Sequence, residues 1–124
     1  MKLLLDTHVV LWWRADSTHL TTAARQAIAS ADEILVSAAS GWEVAIKIGV
    51  GKLRLADSFE WMVDESGFTE LAVTLAHTER ITTLPLHHRD PFDRMLVAQA
   101  QVEGATVVTH DRQFTPYAVP VIWV

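Results

Sequence analysis

Four acidic residues, Asp6, Glu43, Asp93 and Asp111, are far apart in the sequence, and each lies just after a short apolar segment or near the start of a helical one. Carboxylates that converge on one point repel one another, and their pKa values rise unless a cation neutralises them. Ligand sets made only of oxygen suit Mg²⁺ or Mn²⁺. Such an ion can activate a water and stabilise the charge that develops when a phosphodiester is hydrolysed. The four acids therefore predict a Mg²⁺ or Mn²⁺ site with hydrolytic chemistry.

The first two acids also have an ordinary interpretation as helix-capping groups. Asp6 is a good N-cap for a following helix, and Thr7 could serve equally well. Ser40 and Glu43 have the spacing of a capping box. If Ser37 is the cap instead, Glu43 falls in the second turn and needs another partner. We favour Ser37, because it directly follows the second apolar segment.

The other two acids also have positions typical of caps. Asp90 and Pro91 predict an N-cap and a first helical residue. Asp93 then lies in the first turn, where an acid interacts favourably with the helix dipole by about 0.3–1 kcal/mol. The same position directs its carboxylate out of the sheet edge, so we assign Asp93 as a ligand and Asp90 as the cap. Asp111 follows a strand and is in place to start a short helical turn.

The elements that must position these acids alternate between two patterns. Short apolar runs predict five strands, each buried on both faces: Leu3–Leu5, Ile34–Val36, Leu71–Val73, Thr106–Val108 and Val121–Trp123. Apolar residues at three-and-four spacing predict six helices: His8–Arg14, Thr21–Ser30, Ala38–Ile48, Ser58–Glu65, Ala76–Thr82 and Pro91–Val102. This alternation predicts an α/β fold, a three-layer α/β/α sandwich around a central parallel sheet.

Sheets of this type bind ligands outside the carboxyl ends of their strands. Asp6 follows the first predicted strand, Ser37 the second and Asp111 the fourth. We therefore expect these three polar groups at one edge of the sheet, with Glu43 approaching from the adjoining helix.

Composition limits the remaining possibilities. A chain of 124 residues that is 50% hydrophobic can bury one core, so we expect a single domain over residues 1–124. The absence of cysteine excludes disulfides and thiolate metal sites and fits a reducing cytoplasm. The apolar run before Asp6 is too short for a signal peptide or a membrane span, so we expect no membrane association.

The net charge of −5 has the wrong sign for attracting nucleic acid by bulk electrostatics. Any phosphate contact must then be local, and a bound divalent cation could supply it. Six basic residues lie near the acids in sequence, as phosphate contacts or as solvated charges: Lys47, Lys52, Arg54, Arg89, Arg94 and Arg112. His8 and His110 are placed either to assist proton transfer or to make structural hydrogen bonds.

Tryptophan is abundant for so short a chain, with five residues. Most are expected in the core. Helical spacing turns one of the adjacent pair Trp12 and Trp13 away from the core, which makes it a candidate for a dimer or partner surface.

At four segments the sequence resembles the PIN-domain ribonucleases, and more closely the VapC-type toxins of type II toxin–antitoxin systems. The resemblance spans essentially the whole chain. Its motifs are Leu4-Leu5-Asp6-Thr7-His8, the segment from Ser37 to Leu53, the segment from His88 to Ala100 that contains Asp90-Pro91-Phe92-Asp93-Arg94, and Thr109-His110-Asp111.

The resemblance implies a metal-dependent endoribonuclease that acts on RNA, with Mg²⁺ or Mn²⁺ held by Asp6, Glu43, Asp93 and Asp111. Asp6 and Asp93 would be the firmest ligands. Thr7, Ser37 and Asp90 would be the supporting residues. A homodimer and a cognate antitoxin protein are also implied.

Two other functions compete with this interpretation. An aspartate after the first strand can be the nucleophile of a haloacid-dehalogenase-like phosphatase. That chemistry expects a second aspartate at position 8, which is His8, and a later strand-end lysine that is missing. The other alternative is a receiver-like or partner-binding module, in which the acids bind Mg²⁺ without cleaving anything.

Overall fold

The protein is described by a computed structural model that covers residues 1–124. Its strands are β1 (Lys2–Leu5), β2 (Glu33–Ser37), β3 (Thr69–Leu71), β4 (Thr106–Thr109) and β5 (Val121–Trp123). Its helices are α1 (Thr7–Arg14), α2 (Thr22–Ser30), α3 (Ala38–Gly49), α4 (Phe59–Glu65), α5 (Leu75–Ile81) and α6 (Pro91–Glu103), and a short 3₁₀ helix spans Arg112–Phe114. All six predicted helices are present, and their ends lie within one residue of the predicted ends.

The five strands form one sheet in the order β3-β2-β1-β4-β5, and every neighbouring pair is parallel. This confirms the predicted parallel α/β architecture. β1 is the central strand, with Leu5 paired to Val36 on one side and to Val108 on the other. The residue that follows β1 therefore lies at the middle of the carboxyl edge.

Side chains of β1 alternate between the two faces of the sheet, as the period of a strand requires. Leu3 and Leu5 belong to a core cluster that contains residues of α1 and α2, whereas Leu4 belongs to a second cluster with residues of α6. Burial of each such side chain contributes roughly 1.5–3 kcal/mol. Two separate cores on opposite faces of one sheet confirm the three layers.

The two edge strands differ from their prediction. The third strand was predicted at Leu71–Val73 but runs from Thr69 to Leu71, with Thr69 and Glu70 exposed, and β5 is only half-buried. Edge strands have a neighbour on one side only, so burial on both faces was the wrong expectation for them. Val73 lies after the strand and is 40% exposed.

Helix α6 carries its boundary signals at both ends. The Asp90 side chain accepts hydrogen bonds from the backbone N–H groups of Phe92 and Asp93, as predicted for the cap, and Pro91 is the first helical residue. Gly104 ends the helix in the left-handed conformation, at φ 66°, which a glycine adopts without steric cost. At 13 residues it is the longest helix, and none of the helices has the length and apolar character needed to span a membrane.

Candidate metal centre

Asp6 lies at the carboxyl end of the central strand, with 6% of its surface exposed. Although it occupies the N-cap position of α1, its side chain makes no capping hydrogen bond. Instead, the hydroxyl of Thr109 at the end of β4 donates to Asp6 Oδ2 at 2.6 Å. The side chain of Asp6 is therefore not a capping group, and its carboxylate is oriented by Thr109 instead.

The environment of Asp6 disfavours its charged form. Burial raises the pKa of this carboxyl above its usual value, and the negative charge of Glu43 raises it further. The Thr109 hydrogen bond and the nearby His8 act in the opposite direction but do not reverse the shift. A cation at this position would remove the penalty.

Glu43 projects from the second turn of α3, because Ser37 and not Ser40 begins this helix. Ser37 Oγ accepts a hydrogen bond from the backbone N–H of Ala39 at 3.0 Å, which confirms the cap we favoured. The hydroxyl of Thr7 donates a hydrogen bond to Glu43 Oε1 at 2.8 Å, so Glu43 has a side-chain partner outside its own helix. Its second oxygen, Oε2, lies 3.3 Å from Lys47 Nζ, one turn along the same helix.

Asp93 lies in the first turn of α6, and its side chain is 15% exposed. His88 Nε2 is 2.7 Å from Asp93 Oδ2. The pKa of Asp93 is raised to about 7, chiefly by burial and also by the charges of Asp6 and Asp90, while the hydrogen bond from His88 acts to lower it. A carboxyl so perturbed by burial and by other carboxylates is typical of a functional site.

Asp111 has a more ordinary environment. Its Oδ1 accepts from the backbone N–H of Gln113 at 3.0 Å, so it caps the 3₁₀ helix as its position predicts. Its own backbone N–H donates to Thr109 Oγ1 at 3.0 Å. Asp111 is thus joined to Asp6 through the Thr109 hydroxyl.

The acids do not converge equally closely. His88, Asp90 and Asp93 are the only group of three histidine, aspartate or glutamate side chains whose potential ligand atoms all lie within 4.8 Å of one another. Asp6 is close enough to raise the pKa of Asp93, and Glu43 close enough to raise that of Asp6. Asp6, Glu43 and Asp93 therefore interact at one edge of the sheet, and Asp111 lies at its border.

Two contacts were missed in the sequence. Thr109 begins the motif Thr109-His110-Asp111, and His88 begins the segment from His88 to Ala100, but the sequence alone led us to predict no role for either residue. Thr109 is the last residue of a buried strand, and a hydroxyl there can reach the neighbouring strand end, so its position carried a signal. The approach of His88 to Asp93 depends on how the segment before α6 folds back, and the sequence carries no such signal.

The basic residues proposed as phosphate contacts separate into different roles. Lys47 pairs with Glu43. Arg94 donates to the carbonyl oxygen of Pro85 at 2.9 Å and to the Tyr117 hydroxyl at 3.3 Å, so it holds the chain before α6. Arg112 lies over the Trp123 ring at 4.2 Å and is exposed.

The donor set fits a hard divalent cation. Asp6, Glu43 and Asp93 offer carboxylate oxygens from three different elements, and the positive partners within bonding reach are Lys47 on Glu43 and, when protonated, His88 on Asp93. Asp6 has a hydroxyl as its only side-chain partner. Oxygen donors with uncompensated charge suit Mg²⁺ or Mn²⁺.

Known proteins resemble this chain in sequence and in fold. The chain matches the family model of the PIN domain over residues 3–119. It is 33% identical to Ribonuclease VapC22 of Mycobacterium tuberculosis over 120 residues, which cover 94% of this chain and 92% of that protein.

Two solved structures have a similar fold. VapBC2 from Rickettsia felis, bound to a DNA fragment from their promoter, aligns with a TM-score of 0.71 and 16% identity over 98% of each chain. DNA-bound VapBC from Salmonella typhimurium aligns with a TM-score of 0.70 and 18% identity, over 98% of this chain and 97% of that chain. At identities this low, the two structures show a similar fold and nothing more. The family match and the 33% identical relative show that the chain belongs to the PIN-domain family and, within it, to the VapC-type ribonucleases.

Proposed function

We propose that this protein is a metal-dependent endoribonuclease that acts as the toxin of a toxin–antitoxin pair and hydrolyses RNA phosphodiester bonds. The observation that carries the proposal is the pair Asp6 and Asp93. Both carboxyls are largely withdrawn from solvent, both have a raised pKa, and the charge of Asp6 contributes to the shift of Asp93. The identity to a ribonuclease supports the reaction class.

Four carboxylates would hold Mg²⁺ or Mn²⁺, namely Asp6, Glu43, Asp93 and Asp111. When bound, the ion would supply an activated water and neutralise the charge that develops on the phosphate. Asp6 and Asp93 are the firmest candidates, because both carboxyls are largely buried and both have a raised pKa that a cation would relieve. Asp111 is the weakest, because one of its oxygens already caps the 3₁₀ helix.

The supporting residues fix the positions of these carboxylates. Thr7 donates to Glu43 and holds it against α1. Ser37 sets the start of α3, which places Glu43 one turn beyond the helix N-terminus. Asp90 sets the start of α6, which places Asp93 in the first turn of that helix. An orienting contact of this kind typically changes metal affinity or activity by about 10–100-fold when removed.

The protein would assemble with a cognate antitoxin and as a homodimer. The solved relatives are VapBC assemblies, which supports a protein partner. Exposed apolar side chains are available for such contacts, including Trp42 at 64%, Val50 at 63% and Leu75 at 82% exposure. We further propose that residues 1–124 act as one nuclease domain and that they act in the cytoplasm, which the lack of cysteine favours.

The phosphatase alternative receives no support from the site. The residue two positions after Asp6 is His8, which is exposed, and Lys47 pairs with Glu43.

One assay separates the three functions. The purified protein is incubated with labelled RNA and with a phosphomonoester, in Mg²⁺ and in EDTA. A nuclease produces RNA fragments only with the metal, whereas a phosphatase releases phosphate from the monoester. A binding module takes up Mg²⁺ and changes neither substrate. RNA that stays intact in Mg²⁺ and Mn²⁺ would overturn the proposal, and sequencing the ends produced on brief induction would identify the substrate.

A further inference from the structure

Four aromatic side chains form a cluster beside Asp6 and Asp111. Trp12 is its centre, and the imidazole rings of His8, His19 and His110 surround it; these four residues are called the Trp12 cluster below. The ring centroid of Trp12 lies 5.1 Å from His19, 4.8 Å from His110 and 5.8 Å from His8. His19 is stacked on the indole with an interplanar angle of 25°.

Three separate segments build the cluster. His8 and Trp12 are one turn apart on α1, whose first residue follows Asp6. His110 follows β4 and immediately precedes Asp111. His19 comes from the loop between α1 and α2. The cluster is therefore attached to the same two strand ends that carry Asp6 and Asp111.

The loop that carries His19 is held in place by the protein. Arg25 pairs with Asp16 at 3.0 Å and donates to the carbonyl oxygen of Ser17. The backbone N–H of Ser17 donates to the carbonyl oxygen of Trp12 at 2.9 Å, and that of His19 donates to Ser17 Oγ at 3.1 Å. A surface held in its bound conformation loses less entropy on binding.

The three imidazoles of the cluster are exposed and Trp12 is half-buried. Imidazole and indole rings stack on nucleobases, and sequence-specific or general recognition of single-stranded RNA uses this contact. Stacking does not depend on the sign of the protein's charge, which matters for a chain with a net charge of −5. Arg112, one residue beyond Asp111, is exposed, and its guanidinium lies over the Trp123 ring, close in sequence to where a phosphate would approach.

We propose that the Trp12 cluster is a base-binding surface, on which an unpaired base of single-stranded RNA stacks while a neighbouring phosphodiester reaches the carboxylates. The inference rests on the proposed function for the identity of its ligand, an RNA strand. It adds the requirement that the strand be unpaired next to the cleaved bond, since a base inside a duplex cannot present its face to a ring.

His19 is the most useful position for a test, because it is exposed and remote in sequence from all four acids. His19→Ala removes the ring, His19→Phe keeps a stacking face, and Thr18→Ala changes the same loop without changing the cluster. Each is combined with Asp6→Asn, which blocks cleavage on the proposed function. Binding is measured by the fluorescence of a single-stranded oligoribonucleotide that contains 2-aminopurine, and by that of a labelled backbone of the same length that lacks bases.

With the base-containing strand, His19→Ala is expected to weaken binding about fivefold or more, a loss typical of one base–aromatic contact. His19→Phe and Thr18→Ala retain the parent affinity. With the abasic strand all variants bind equally, because the lost contact is to a base. Metal affinity, measured by Mn²⁺ titration without Asp6→Asn, stays unchanged in His19→Ala.

Equal affinity of the parent and His19→Ala for the base-containing strand would overturn the inference. So would a change in apparent mass in His19→Ala at unchanged RNA affinity, which would assign the cluster to contacts between copies of the chain. The nuclease assay is read separately with Asp6 intact. If the protein binds bases but cuts no RNA, the base-binding surface is supported and the proposed activity is rejected. If the protein cuts RNA without base-dependent binding, the activity is supported and the base-binding surface is rejected.

Discussion

The hydroxyl of Thr109 donates a 2.6 Å hydrogen bond to Asp6 Oδ2 and joins the ends of two adjacent parallel strands. Thr109 is fully buried, and its Oγ1 also accepts the backbone N–H of Asp111. One hydroxyl therefore orients the central carboxylate and the start of the 3₁₀ helix together.

Thr109→Val should reduce metal affinity by about 10–100-fold, the range found for residues that orient metal ligands. Valine matches threonine in shape but cannot donate to Asp6, so the carboxylate loses its orientation and its pKa rises further. Titration with Mn²⁺ measures the effect. Thr109→Ser, which keeps the hydroxyl, is the control, and equal affinity of the valine variant and the wild type would contradict the role.

Asp6→Asn and Asp93→Asn should each lower RNA cleavage by more than about 100-fold. Replacing a residue that only orients a metal ligand already lowers metal affinity or activity by about 10–100-fold, and loss of a ligand should cost more. Both variants should remain folded, because asparagine is close in size and removes a buried charge. Cleavage of labelled RNA and circular dichroism on heating are measured on the same preparations. If either variant cuts at the wild-type rate, that residue is not a ligand.

The stability of the metal-free protein should fall as the pH rises from about 4 to about 7. The pKa of Asp93 is raised from 3.8 to about 7 on folding, so the folded state holds more protons than the unfolded state in this window. The stabilisation is complete below pH 4 and is lost as Asp93 ionises. Urea unfolding in EDTA across this range measures it.

Asp93→Asn provides the control for the pH dependence. Asparagine cannot ionise, so its unfolding curves should vary less between pH 4 and 7 than those of the wild type. A metal-free wild type whose stability rises steadily over this range would show that other groups outweigh Asp93. Millimolar Mg²⁺ should restore stability at pH 7 in the wild type and not in the variant.

Expression of the wild-type protein without an antitoxin should slow bacterial growth, since uncontrolled cleavage of cellular RNA is harmful. Asp6→Asn should relieve the effect at equal protein level. Growth curves after induction, with immunoblots for abundance, provide the measurement. Equal growth of both strains would argue against toxin activity.

Most of the fold could be predicted because its strands and helices have different periods. Leu3–Leu5 are apolar without interruption and Thr106–Val108 are β-branched throughout, which is typical of central parallel strands. Thr69–Leu71 could not be placed correctly, because an edge strand buries fewer residues and Val73 extended the apolar pattern beyond it. Sheet edges carry less information in their sequence than sheet centres.

The site was predictable to the extent that it depends on strand ends. Asp6 and Asp93 could be proposed as ligands because one follows a strand and the other lies in the first turn of a helix. The contact between His88 and Asp93 was not, because it depends on the path of residues 82–90, which have no regular structure. The same loop is held by Arg94 through carbonyl oxygens, a role that side-chain charge alone does not indicate.

The position of β1 between β2 and β4 also affects when the protein can become active. Leu5 pairs with Val108, and Asp6 accepts a hydrogen bond from Thr109. The pairing of β1 is therefore incomplete until residues more than a hundred positions downstream have been synthesised. A chain emerging from the ribosome cannot assemble its acidic edge until nearly all of it has been synthesised. For a protein whose activity would damage the RNA of its own cell, late assembly leaves time for an inhibitor to be present before the first molecule is complete.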